Sequence, residues 1–268
     1  MNHINNITGR VHAIVICVMV SVIILFPQFI SAQESNLESE MELGLAYFQD
    51  AQFKEAFPYF EKISVALSNS GDEESLPIIY YFCHSCKYLS GDIVGSIPYG
   101  ENAIKFETLP SELKIQVLKS LLNAYDELAC QDKCLNTIDQ LKILWKSYKA
   151  TDIIESLVAY YSIHEEYANV ILLEKDLQYI HNTNASNEMD QRSNMIQINT
   201  IYMCMAKAYS ELKDFSKSLS YLEKCIETLT PSTQENKSTI YLMMADNYNK
   251  MGDKKSALKY QKLAIDTE

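Results

Sequence analysis

A chain of 268 residues that is 47% apolar but holds only seven glycines and six prolines has core enough for one or two domains and too few breakers for disorder or an all-β fold. Its formal net charge is −12, and beyond residue 32 there remain 22 basic against 35 acidic residues. That region lacks the basic stripe a phosphate backbone requires, which excludes nucleic acid as its partner. Long helices are the expectation.

Residues 1–32 differ from everything after them. One base, Arg10, precedes an uncharged apolar run over 11–26, and Pro27 and the small end Ile30-Ser31-Ala32 lead into the polar QESNLESE. These are the parts of a secretory signal peptide ending at Ala32, which makes the product exported, periplasmic or secreted. The alternative is an uncleaved anchor, because the same stretch spans a bilayer if tilted, and only then is a membrane a partner.

After residue 33 one pattern recurs. Its last copy, over 241–268, places Ala245, Tyr248, Gly252, Ala257 and Ala264 as A-x2-Y-x3-G-x4-A-x6-A. In chain order the earlier copies hold Gly44, Tyr47, Ala56, Phe60 and Ile63, and then Ser85, Tyr88, Ser96, Gly100 and Ala103 once one residue is deleted before Gly91. Next come Leu122, Tyr125, Cys134, Ile138 and Leu141, then Val158, Tyr161, Val170 and Leu177, then Ala206, Tyr209, Ser218, Leu222 and Cys225. The six tyrosines are 41, 37, 36, 48 and 39 residues apart. Tyr241, Ala245 and Tyr248 share one helical face, and Ala257, Gln261 and Ala264 repeat that geometry after a turn, so each copy reads as two antiparallel helices. Small residues let the helices approach, a tyrosine fills the wedge, and one pair buries its faces only by stacking on the next.

This pattern resembles the tetratricopeptide repeat family, whose 34-residue unit carries a small residue, a tyrosine and an alanine at these places. The resemblance implies an all-α fold: an α-solenoid of about six helix-turn-helix repeats forming a right-handed superhelix. Repeats 1–4 would occupy 33–182, a polar inter-repeat loop 183–197, and repeats 5–6 198–268. Periods above 34 imply longer helices or turns than the family standard.

Catalytic constellations fail under inspection. His164 in SIHEEYANV begins an H-E-x-x-H motif, but Ala168 stands where the second ligand is needed. Cys83, His84 and Cys86 form a C-x2-C inside a first helix without a second pair at zinc-finger spacing, and read as small buried residues. Cys130 and Cys134 flank a turn at an awkward spacing for a disulfide. No glycine-rich phosphate loop or G-x-S-x-G elbow occurs. The reading is no enzyme, no cofactor and no metal.

In the family resembled, the second, fifth, ninth and twelfth places of each first helix line a groove that binds protein or peptide. Those places hold Met41, Leu45 and Phe48 in copy one, Ile79, Phe82, Cys86 and Leu89 in copy two, and Gln116, Lys119, Asn123 and Asp126 in copy three. Copies four to six supply Glu155, Ala159, Met203, Lys207, Asp246 and Asn249. The resemblance thus implies a ligand site of Met41, Leu45, Phe48, Phe82, Leu89, Lys119, Asn123 and Lys207, with an apolar patch grading into a polar one. A competing reading makes the array the sensor or input portion of a longer signalling or transcription-regulatory protein. The last helix follows without a polar cap, and a partner covering Leu258 and Leu263 would also explain that.

Overall fold

The computed structural model describes residues 34–180, 188–230, 234 and 236–267; the expected signal or anchor segment lies outside them. Every regular element among the described residues is helical. In chain order these are α1 (Glu34–Gln49), α2 (Phe53–Ser70), α3 (Leu76–Leu89), α4 (Ile93–Ala103), α5 (Ser111–Glu127), α6 (Gln131–Tyr148), α7 (Thr151–Ile163) and α8 (Tyr167–Leu172). A single 3-10 turn at Glu174–Asp176 follows, then α9 (Leu177–Ile180), α10 (Glu188–Glu211), α11 (Phe215–Glu227), α12 (Asn236–Lys250) and α13 (Lys254–Ile265). No helix among the described residues is long and apolar enough to cross a membrane.

The copies seen in the sequence are helical hairpins, and one turn defines each of them. Ala51, Gly91, Ala129, Glu165, Lys213 and Gly252 all take positive φ, between 54° and 88°. This left-handed conformation ends the first helix and reverses the chain. The next amide then bonds back to the carbonyl five residues earlier at 2.8–2.9 Å: Gln52 to Tyr47, Cys130 to Tyr125, Glu166 to Tyr161, Asp214 to Tyr209 and Asp253 to Tyr248. In hairpin two the same bond runs from Asp92 to Lys87. Asp92, Asp214 and Asp253 also cap the second helix, accepting from the amides of Gly95, Lys217 and Ser256.

That bond corrects the register of hairpin two. No residue is missing before Gly91; Lys87 stands in the tyrosine place and His84, not Ser85, in the small one. His84 is 1% exposed, and it fits because Gly100 faces it: a Cβ on Gly100 would lie 2.7 Å from His84 Nδ1. The imidazole donates from Nδ1 to the Ser96 carbonyl at 2.9 Å, and its Nε2 lies 2.5 Å from the Ser120 hydroxyl.

The chain forms two compact units that divide between Thr137 and Ile138, within α6. In the first, α1 packs on α2, α2 on α3, α3 on α4, and α5 on both α3 and α4. Its core is aromatic: Phe82 stacks on Phe60 with centroids 4.7 Å apart and meets Phe48 edge-on at 5.4 Å.

In the second unit α10 packs against α7, α8 and α11, α11 against α12, and α12 against α13. The second helix of hairpin four is broken into α8, the 3-10 turn and α9. The polar stretch expected as a loop is helical from Glu188 onward, so 188–197 belong to the 24-residue α10. Glu188, Met189, Gln191 and Arg192 are good helix formers, and much of the 48-residue interval is spent lengthening this first helix. Polar groups cross the core here. Asn247, 1% exposed, accepts from the Ser210 hydroxyl and donates to the Ser218 hydroxyl, both at 2.7 Å. Asn199 donates to the Cys225 carbonyl at 2.7 Å.

Burial at the hairpin crossings sets the first test. Ala245 and Ala257 are 2% and 1% exposed, so Ala245→Leu and Ala257→Leu overpack and each costs about 1–3 kcal/mol, whereas Lys254→Ala at the exposed start of α13 stays within about 0.5. Phe82→Ala opens a cavity and costs about 3–5 kcal/mol. Urea melts check all four; equal effects of the two alanines and Lys254 would contradict the assigned faces.

Candidate functional site

The residues expected to line a groove divide on inspection. Met41, Leu45, Phe48 and Phe82 are buried, at 8%, 8%, 1% and 1% exposure, and belong to the core of the first unit. For Phe82 the cause is register: moving the repeat frame by one residue turns a helix about 100°. The hairpin-two residues at the groove places are therefore Ile78, Tyr81, Ser85 and Tyr88, of which Tyr81 is itself buried at 7% exposure, while Ile79, Phe82 and Cys86 face inward with at most 1% exposure. Phe48 keeps its frame but is covered by the Phe82 ring. The spacing of four from Lys87 to Gly91, equal to that from Tyr248 to Gly252, was the signal for the correct frame.

What remains accessible is polar apart from Ile78 and Leu89. Tyr88, Leu89 and Ser85 are half-buried on α3, and Lys119 is half-buried and Asn123 exposed on α5. Asn123 Nδ2 donates to the Tyr88 hydroxyl at 3.3 Å, linking the two first helices. In the second unit Lys207 is exposed on α10 with its ammonium 5.8 Å from the Tyr167 ring. The site set is thus partly dispersed: Tyr88, Lys119 and Asn123 share one neighbourhood, and Lys207 belongs to another unit.

Consecutive hairpins are also joined by carboxylates. Tyr99 donates to Glu61 at 2.8 Å. Tyr125 donates to Glu101 at 2.7 Å, and Lys133 pairs with the same oxygen at 2.6 Å while lying 4.9 Å over the Tyr125 ring. Tyr209 and Tyr221, stacked with centroids 5.8 Å apart, both donate to Glu174, with Lys217 beside them. The bond to Lys133, then that from Tyr125, holds Glu101 below the usual glutamate range. For Glu174 burial pushes upward, but the two phenols and Lys217 outweigh it and the carboxyl ends below its ordinary value. Burial, then the bond to a carboxylate, pushes the Tyr99, Tyr125 and Tyr221 phenols up.

Nucleophilic chemistry finds no footing in the CHSC segment. Burial raises both the Cys83 and Cys86 thiols, keeping them protonated. Burial also lowers His84 to about 4, so the ring is neutral at pH 7. Among the described residues no three His, Cys, Asp or Glu side chains gather as metal ligands would.

These features define an α-helical repeat scaffold. Residues 200–228 and 238–268, which make up hairpins five and six, match the tetratricopeptide repeat family. Solved structures agree in fold. PilF of Pseudomonas aeruginosa superposes with TM-score 0.56 at 13% identity over 86% of this chain and 90% of that one. BtubC of P. vanneervenii gives 0.54 at 11% over 89% and 91%. Nearly identical TPR-like repeats from Podosopora anserina give 0.53 at 18% over 72% and 95%. No curated protein matches the chain. The family match covers hairpins five and six, and the solved structures show that the described chain as a whole shares their helical-repeat fold.

The titrating groups give stability a defined pH profile. His84 has a folded pKa of about 4 against 6.5, so the unfolded chain binds its proton first and stability falls by roughly 3 kcal/mol as pH drops from about 6.5 to about 4. Glu101 and Glu174, depressed in the fold, add stability above their unfolded pKa that is lost as pH falls through the folded one. The raised Cys83 and Cys86 thiols and then the raised tyrosines act at the other limb: stability is full below about pH 8.5 and declines above it. Urea melts from about pH 3 to 11 should show a plateau near neutrality, and Glu101→Gln should flatten the slope only below about pH 4.5.

Proposed function

We propose that this chain is an exported, non-enzymatic scaffold that holds an extended peptide segment of a protein partner against its first-helix faces. The observation that carries the reading is the Asn123–Tyr88 bond. It aligns hydrogen-bonding side chains of two neighbouring first helices, with Lys119 one turn from Asn123. The Asn123 amide keeps a carbonyl and a second N–H for a peptide backbone. Lys207 plays the corresponding part in the second unit. The apolar stretch of the original expectation contributes rigidity, since its rings are spent on the core, and recognition rests on polar groups. The acidic chain does not attract nucleic acid, and the membrane is a partner only if residues 1–32 are retained.

The test is calorimetric titration of peptides selected from a displayed random library, using wild type, Asn123→Ala and Lys119→Ala, with circular dichroism checking each fold. Asn123→Ala should weaken binding about five- to tenfold, close to 1 kcal/mol, and Lys119→Ala less. Peptides that bind both variants as tightly as wild type would remove the site from this face. The other candidate would then be α13, where Leu258 and Ile265 are 66% and 71% exposed.

Export has its own measurement. Intact mass of material recovered outside the cytoplasm should correspond to a chain beginning at Gln33. Full mass in a membrane fraction would mean that the segment is an anchor.

A further inference from the structure

A cleft of about 520 Å³ opens in the first unit, on residues the groove does not use. Its walls come from Glu73 before α3, Tyr80 of α3, Asn102 of α4, and Lys105, Phe106 and Glu107 of the following loop. The frame is fixed from several sides. Asp72 accepts from the amides of Glu74 and Ser75, both at 3.0 Å, and Thr108 donates to the Glu73 carbonyl at 3.3 Å, tying the two loops together. Tyr80 and Phe106 present half-buried rings with centroids 6.4 Å apart and planes at 38°. The Tyr80 hydroxyl is engaged with Ser68 at 3.2 Å, so this ring offers its face rather than its oxygen.

The charges at the rim are unequal. Lys105 Nζ donates to the Asn102 side-chain Oδ1 at 2.8 Å. Glu73 and Glu107 are exposed, and neither forms an ion pair among the described residues. Two ring faces carry the negative side of their quadrupoles, and two carboxylates stand beside them in a chain of net charge −12. This is the environment that favours a cation over a neutral isostere. The protein uses the same chemistry internally: Lys87 sits 4.3 Å from the Phe57 centroid and Lys224 4.5 Å from that of Tyr221.

We propose that this cleft binds an organic cation, a guanidinium or ammonium group resting against the Tyr80 and Phe106 rings and paired with Glu73 and Glu107. The volume exceeds one arginine side chain, so two adjacent basic residues of a partner or one free polyamine supply the same chemistry. The inference goes beyond the groove reading, because it involves none of the groove residues.

Calorimetry on the full chain at low salt tests it with four probes: N-acetyl-Arg-Arg-amide, its citrulline counterpart, arginine amide and spermidine. The arginine dipeptide should bind in the range of roughly 0.1–1 mM and the uncharged citrulline form at least about tenfold more weakly. Phe106→Ala, Glu73→Gln and Glu107→Gln should each weaken the dipeptide about three- to tenfold. Glu55→Gln on exposed α2 and the groove variant Asn123→Ala should match wild type, which separates this site from general acidity and from the peptide groove. A dipeptide tighter than arginine amide and spermidine assigns the site to a basic segment of a partner; tightest binding by spermidine assigns it to a free amine. Equal binding of the citrulline form, an equal loss in Glu55→Gln, or no binding of any cation up to about 10 mM would overturn the proposal.

Discussion

Each hairpin depends on one residue held in the left-handed region and on the amide after it, which reaches back five residues to close the first helix. A non-glycine residue pays for that conformation with strain, yet Ala51, Ala129, Glu165 and Lys213 all adopt it. The return is positional. The closed turn sets where the second helix starts, and therefore which side chains of both helices face the crossing. Everything else in a hairpin, from the small residue at the crossing to the ring stacked twelve residues beyond the tyrosine, is counted from that point. Tyr47 on Tyr59, Tyr209 on Tyr221 and Tyr248 on Tyr260 all obey the interval, with centroids 5.4–5.8 Å apart.

The links between hairpins are chemically different from those within them. Within a hairpin, stacking rings and small residues dominate, and their contribution changes little with solvent ionic conditions. Between hairpins, a glutamate near the end of one unit accepts a phenol from the next, at Glu61, Glu101 and Glu174. These bonds sit at partly exposed sites, so each is worth less than a buried ion pair. Their geometry fixes the angle at which one hairpin meets its neighbour, and a binding face assembled from several first helices inherits that angle.

The fold was legible because the repeat is a spacing, and spacings survive wide variation in the residues that fill them. Hairpins one, five and six could be aligned by eye, and the positions assigned to second helices were correct even in hairpin two, where Ser96, Gly100 and Ala103 are all buried. The first helix of hairpin two was misframed because Tyr88 happens to follow Lys87, and a tyrosine is a stronger visual marker than the backbone conformation of Gly91. That single slip exchanged a core face for a solvent face. The burial of Met41, Leu45 and Phe48 is hidden for another reason: whether an apolar residue on a first helix meets a ligand or a neighbouring ring depends on what the next helix brings, here the Phe82 ring. The start of α10 is hard to read because an Asn- and Ser-rich segment resembles a loop in composition, although Glu188, Met189, Gln191 and Arg192 within it are good helix formers.

Asn247 carries a consequence for how the array reaches a single arrangement. Repeats that resemble one another can dock in the wrong order while a chain is being made, and purely apolar interfaces discriminate poorly among such alternatives. Asn247 is an amide at a position occupied by Ala46, Cys86, Ala124, Tyr160 and Ala208 in the other first helices. Hairpin five offers a serine at both places that satisfy it, Ser210 and Ser218, and no other hairpin has serine at both. Against a hairpin without these two serines the buried amide would lose one or both of these bonds, at about 1–3 kcal/mol. The succession of hairpins five and six is thereby encoded as a polar lock and key, and mis-stacked intermediates in this part of the chain are penalised before they can accumulate.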